Sequence, residues 1–328
     1  MFKTRKKIIF FLIIGVLFFI TGWFCVIRLL SPMRKICIKS RSISAKTKHT
    51  DKITTLTICT YNIAHGRGSV SSNFKGGDKE TRKKRLTDIA RILKNADIVI
   101  LNEVDFKSFW SYHFNQAEFI TKEASFPYWV EQRNMDAGVP FFRLCYGNVL
   151  LSRFPIVSAH EVDFPGFSFW ENILIGKKKG LFCILGISEM QEIGVLAVHL
   201  EHRSEKVRVQ SVKKIEQFLT TCGVPLICAG DFNSSPSGFP ESERDIQGTN
   251  AINQLLDTEY FIALPLDKPE ESDLTFHSEN PSRVIDWIFV PKRWKIISKK
   301  LKKETFSDHR PVFLYVSFQS IVKAIPKN

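Results

Sequence analysis

Asp231 and Asn233 sit two residues apart at the end of a short apolar run, Leu226 to Ala229, which Pro225 bounds and Gly230 breaks. In an extended chain, residues two apart face the same side. The pair should therefore project together from the end of a buried strand. Ser234-Ser235-Pro236 then turns the chain away. A carboxylate and an amide so placed can hold a water or a metal beside a phosphate. The same two residues would also serve a simple Asx turn that closes a strand.

The layout recurs. Asn62 follows Leu56–Tyr61, and Glu103 follows Asp97–Leu101. His199 follows Gly194–Val198, and Asp286 interrupts the apolar run Val284–Val290. Asp308 and His309 precede the strand expected at Phe313–Phe318. An acid within an apolar run is costly unless it has a partner. Any one of these residues could be structural, but six such sites in one chain point to a shared centre. His65, His202 and Arg208 lie near these motifs, and Asp105 is expected at the surface or behind the site.

The order Tyr61-Asn62, Asn102-Glu103, Val198-His199-Leu200, Gly230-Asp231-Phe232-Asn233, Ile285-Asp286 and Ser307-Asp308-His309 resembles the endonuclease/exonuclease/phosphatase superfamily. Deoxyribonuclease I, exonuclease III, neutral sphingomyelinases and inositol polyphosphate 5-phosphatases belong to that group. The resemblance covers about residues 54–318. It implies an α/β fold, a four-layer α-β-β-α sandwich of the deoxyribonuclease I type, and a divalent ion, usually Mg²⁺, with Mn²⁺ as the substitute. By the family pattern Glu103 is the leading metal ligand, with Asn62 and Asp308 helping to hold metal or phosphate. Asp231 would orient or deprotonate the attacking water, and Asn233 would contact the phosphate. Asp286 would pair with His309, which then donates to a phosphate oxygen as charge builds. His199 matches a histidine of the nuclease I, sphingomyelinase and 5-phosphatase branches. Exonuclease III-like enzymes tend to lack it, which argues against abasic-site repair. The residue types suit the chemistry, because hard carboxylate oxygens bind Mg²⁺ and phosphoester hydrolysis needs its charge.

The elements that must position these residues alternate between strands and helices. Helices are expected over Lys79–Lys94, Asn115–Ala124, Ser204–Thr221 and Ala251–Asp257. Further strands are expected at Gly147–Ser152, Ile156–Val162, Leu181–Ile187 and Ile296–Leu301. The 328 residues suit one large domain or two ordinary ones, and 28 phenylalanines predict an aromatic-rich core. The seven cysteines have no CxxC spacing, and most read as small buried hydrophobes.

The net charge of +14 is unevenly placed. Residues 1–50 carry eleven Lys or Arg and no acid, leaving only +3 on residues 51–328. The folded part is nearly balanced, unlike a general DNA-binding domain. The basic excess instead flanks Ile8–Ile27, an apolar run interrupted only by Gly15, Thr21 and Gly22. Such a run is long enough to span a bilayer. No small-residue cleavage site follows it, so an uncleaved signal anchor is favoured over a signal peptide. The expected organisation is a basic flank and anchor at 1–30 and a basic, Ser- and Thr-containing tether at 31–52. A catalytic domain at 53–318 and a tail at 319–328 would follow.

These readings predict a single-pass membrane protein that hydrolyses a phosphoester, with a phospholipid or phosphorylated headgroup as substrate. A metal-dependent nuclease acting on DNA or RNA uses the same residues. A catalytically silent scaffold would not need all of them. The aromatic stretch Asp163–Trp170 reads either as a cap on the core or as a loop that dips into an interface. No obligate protein partner is inferred.

Overall fold

The computed structural model describes residues 2–30, 36–40, 53–139, 142–174, 176–188 and 191–318. The chain opens with helix α1 (Phe2–Leu30) and runs through strands β1 (Ile36–Ser40) and β2 (Thr55–Asn62) to α2 (Lys79–Leu93). Next come β3 (Ile98–Asp105), α3 (Gln116–Glu123), β4 (Tyr128–Val139), β5 (Phe142–Ser152) and β6 (Ile156–Asp163). Then follow α4 (Phe169–Leu174), β7 (Lys179–Ser188), β8 (Gln191–His199), α5 (Glu205–Leu219) and β9 (Leu226–Asp231). The last elements are α6 (Ala251–Leu256), β10 (Phe261–Ile262), β11 (Asp286–Pro291), β12 (Lys295–Leu301) and β13 (Val312–Ser317).

The strands form two mixed sheets. One has the order β1-β4-β5-β3-β2-β13-β12, the other β10-β11-β9-β8-β7-β6. Three apolar clusters show how they stack. Leu56, Ile58, Ile98 and Ile100 of the first sheet meet Val195, Ala197, Ile227, Ala229 and Ile288 of the second. The residues between them in sequence face outward. Cys59, Val99 and Leu101 pack on Leu86, Ile89 and Ile120 of α2 and α3. Leu196, Val198 and Cys228 pack on Val212, Ile215 and Ile252 of α5 and α6. The result is the expected α-β-β-α sandwich.

That two-residue period decides where the polar residues go. Asn62 continues the inward row of Leu56 and Ile58, and Asn102 that of Ile98 and Ile100. His199 continues Val195 and Ala197, and Asp231 continues Ile227 and Ala229. Asp286 starts the row that Ile288 and Val290 complete. All five sit at one end of the sandwich, between the sheets. Glu103 has the wrong parity for that face. A register shift between Leu101 and Val104, with φ of 52° at Glu103, turns it there instead. Gly230 has φ of 147°, and a Cβ on it would collide with the Val198 carbonyl. Its lack of a side chain lets β9 run close beside β8, with Asp231 opposite His199.

Two features differ from the sequence expectation. Within the expected tether, Ile36–Ser40 is an edge strand paired antiparallel with β4. Lys39 secures it, reaching both Glu118 at 2.7 Å and the buried Glu131 at 2.6 Å. The long β4–β5 hairpin is also concealed in the sequence, because buried Glu131, Gln132, Asn134 and Asp136 break its apolar alternation. Each of these has a polar partner instead, such as Asn148 for Gln132 and Arg143 for Asp136. The tail at 319–328 lies outside the described residues. The segment Arg5–Cys25 of α1 is long and apolar enough to cross a membrane by length and composition, as an anchor or a signal sequence would be.

Candidate active site

Asn62 is the hinge pin of the site. Its amide nitrogen donates to Glu103 at 3.3 Å and to Asp231 at 3.1 Å, joining carboxylates from the two sheets. Behind it, Asn102 donates to the Val198 carbonyl and to Asn148, each at 2.9 Å, and accepts from the Asp231 backbone at 3.0 Å. These buried amides lock the sheet ends together, because each would be costly unpaired.

Two acid clusters flank Asn62. In the first, the Arg67 guanidinium lies between Glu103, at 3.2 Å, and Asp308, at 2.6 Å. His65 adds a contact of 3.4 Å to Glu103 through Nε2, while its Nδ1 faces Asp105 at 3.1 Å. Burial opposes ionisation of Glu103, but the charges of His65 and Arg67 hold its carboxyl well below the usual range. In the second cluster, Asp286 Oδ2 lies 2.8 Å from His309 Nδ1, and His309 Nε2 lies 3.8 Å from Asp231. Burial pushes Asp231 up to about 6, against the pull of His309. Burial disfavours the imidazolium of His309, yet Asp286 and Asp231 raise it to about 10.

His199 lies between the clusters, 3.6 Å from Asp231 and 4.0 Å from Glu103. Its Nε2 is 3.0 Å from the Lys178 ammonium, which also donates to the Leu200 carbonyl. Burial and Lys178 hold His199 well below the ordinary histidine value, so it is neutral near pH 7.

The donors suit a divalent cation. Ligand atoms of Asp231, Asp286 and His309 all lie within 4.8 Å of one another. Asp286 Oδ1 is buried and has no hydrogen-bond partner. Glu103 and Asp308 already gather around a positive charge. The carboxylates of Glu103, Asp308, Asp231 and Asp286 are hard oxygen donors, as Mg²⁺ or Mn²⁺ requires.

The structure thus brings Asn62, Glu103, His199, Asp231, Asp286, Asp308 and His309 together between the sheet ends, with Glu103 and His199 lining a cavity. Asn233 is adjacent, but its amide nitrogen donates to the Leu200 carbonyl at 3.1 Å and its backbone N–H to Asp231. Arg208 stands apart. It is buried in an ion pair with Glu205 at 2.6 Å and supports the Glu201 carbonyl. Asp105 is fully buried behind the site, where Ser108 and Trp110 also donate to it. Sequence reasoning passes over Arg67 and Lys178. The signal for Arg67 is a cation between two glycines directly after a strand. Lys178 is hidden in the run Lys177-Lys178-Lys179.

A sandwich with acids, amides and histidines converging between its sheet ends defines a phosphoesterase. The chain belongs to the endonuclease/exonuclease/phosphatase family, whose model matches residues 59–309. Solved structures agree on the fold. A family protein from Bacteroides thetaiotaomicron is 16% identical, with a TM-score of 0.60 over 82% of this chain and 100% of that one. A mannosyl-6-phosphatase from Bacteroides thetaiotaomicron VPI-5482 is 15% identical, with a TM-score of 0.57 over 80% of this chain and 100% of that one. The catalytic domain of human Nocturnin with bound sulfate is 16% identical, with a TM-score of 0.56 over 88% of this chain and 99% of that one. Comparison with curated proteins gives no match.

Proposed function

We propose that this chain is a membrane-anchored, Mg²⁺- or Mn²⁺-dependent phosphoester hydrolase whose substrate is a phospholipid or a phosphorylated headgroup. The observation that carries the chemistry is the hydrogen-bonded bridge Glu103–Asn62–Asp231, which sets two acid clusters side by side between the sheet ends. A divalent ion held by Glu103, Asp308 and Asn62 would neutralise charge on the phosphoryl oxygens. The remaining steps belong to side chains. Asp231, raised toward neutrality, accepts a proton from the attacking water. His309, oriented and kept protonated by Asp286, donates toward a phosphate or leaving-group oxygen. Neutral His199 and charged Lys178 line the approach beside Glu103. The cavity that Glu103, His199 and Lys178 line has a volume of about 250 Å³. The apolar helix α1 and the near-balanced charge of residues 51–328 favour a lipid-borne ester over nucleic acid.

The test is to incubate the full chain in detergent micelles with phospholipid, inositol phosphates, DNA and RNA, with Mg²⁺ or with chelator. Phosphorus NMR follows the products, and Asp231→Ala is the control. Mg²⁺-dependent change in lipid or headgroup signals alone is the expected result. Cleavage of nucleic acid alone would hand the site to a nuclease. No hydrolysis by the metal-loaded protein would leave a silent scaffold.

A further inference from the structure

Five of the large apolar side chains exposed outside α1 and the strands lie at the catalytic end of the sandwich. Phe74 is on the β2–α2 connection, Tyr112 on β3–α3, and Phe167, Phe169 and Trp170 between β6 and β7. Phe142, at the tip of the β4–β5 hairpin, stacks on Phe109 at 4.3 Å. Phe74, Phe169 and Trp170 are 74%, 70% and 69% exposed, too wet to be core caps. The short connections α3–β4, β5–β6 and β11–β12 at the far end carry none. There Phe126, Phe154 and Trp294 are buried.

The path of the chain points to the same end. β1 runs antiparallel to β4 with Ile36 opposite Gln132 and Ser40 opposite Tyr128. Gln132 pairs with Asn148, whose side chain accepts from Asn102 in the floor of the site. The chain coming from α1 therefore enters the sheet at catalytic-end level and runs away from it. Only residues 31–35 separate Leu30 from Ile36. Six Cα-to-Cα steps of at most about 3.5 Å bound the separation of Leu30 from Ile36 at about 20 Å. α1 also meets the domain at β4.

We propose that the catalytic end docks onto the bilayer that α1 crosses, so that the ester is drawn from that same membrane. This inference rests on the anchored-hydrolase reading above. Aromatic rings prefer the membrane–water interface. Exposed Lys75, Lys107 and Arg203 stand among them and suit anionic headgroups. Arg203 lies 5.4 Å over the Phe167 ring, and the connection bearing Phe167, Phe169 and Trp170 also supplies Pro165, Gly166 and Asn172 to the cleft wall. A headgroup lifted from the interface would meet that wall first.

The test uses the full chain reconstituted in phosphatidylcholine–phosphatidylserine vesicles with and without brominated acyl chains. The emission of wild type minus Trp170→Phe isolates Trp170, and docking predicts that brominated lipid quenches it. The double variant Phe169→Ser, Trp170→Ser should lose at least about tenfold in hydrolysis of vesicle lipid while hydrolysis of a small soluble phosphodiester stays unchanged. An unquenched Trp170, or equal loss on both substrates, overturns the proposal. So does a loss confined to single-stranded nucleic acid, which would give the rings to stacked bases. Should no phosphoester be hydrolysed, the functional reading fails by itself and the quenching still decides the docking.

Discussion

The two acid clusters of the cleft are built to one plan with different cations. Glu103 and Asp308 share the guanidinium of Arg67, and Asp231 and Asp286 share the imidazole of His309. Arginine keeps its charge at every working pH. Histidine can give its charge up. The Glu103 cluster is thus a fixed electrostatic site, in which a divalent ion can take over the role the guanidinium plays. The Asp231 cluster is a proton-handling site, with an acid near 6 beside an imidazolium near 10.

The largest expected effects fall on the acids that define the clusters. Glu103→Ala and Asp231→Ala should each lower kcat/KM by about 10³-fold or more, measured by steady-state phosphate or alcohol release. The comparison sharpens when excess Mn²⁺ is added. It should partly restore a Glu103→Gln variant and do nothing for Asp231→Asn.

Next comes Asp286→Asn. For the wild type, kcat/KM should rise with pH through about 6, as Asp231 ionises, and fall through about 10, as His309 loses its proton. Removing the Asp286 charge lowers the His309 value, so the alkaline limb should move to lower pH and the maximum should drop about 10²-fold. The Asp286–His309 pair also bears on stability. His309 is raised above its unfolded value of about 6.5, so its contribution is complete below that pH and is lost as pH rises through about 10.

Arg67→Ala breaks the fixed cluster alone. Two carboxylates would then face each other, destabilising the metal-free protein by about 1–2 kcal/mol, with recovery of Tm on adding Mn²⁺. A variant whose Tm ignores Mn²⁺ would remove the parallel between guanidinium and ion. The smallest effect belongs to Asp105→Asn. It loosens His65 behind Glu103 and should cost about tenfold in metal affinity, read by titration calorimetry.

The legibility of these clusters differs as well. Asn62, His199, Asp231 and Asp286 announce themselves because each ends or interrupts an apolar run, and the two-residue period of the strand then aims the side chain between the sheets. Glu103 is legible from its neighbours and from the family resemblance, yet its direction depends on a strand irregularity that no spacing reveals. Arg67 and Lys178 leave no periodic trace, because they stand on connections and reach the cleft with long side chains. Strand β4 is concealed by buried polar residues that are satisfied only across the sheet. Strand β1 reads as a tether because five residues with a lysine carry little pattern. Its place is set by Glu131 and Glu118, some 80 to 90 residues away in sequence.

The division of labour between the clusters is tested most directly by Mn²⁺ titration of the full chain in micelles, followed by electron paramagnetic resonance. Wild type, Glu103→Gln and Asp231→Asn would be compared, with turnover measured on the same samples. Asp231→Asn should bind Mn²⁺ as wild type does and yet fail to turn over, while Glu103→Gln should lose the bound-ion signal. If Asp231→Asn abolished binding and Glu103→Gln retained it, the ion would belong to the Asp231, Asp286 and His309 group, and the assignment of the two clusters would be reversed.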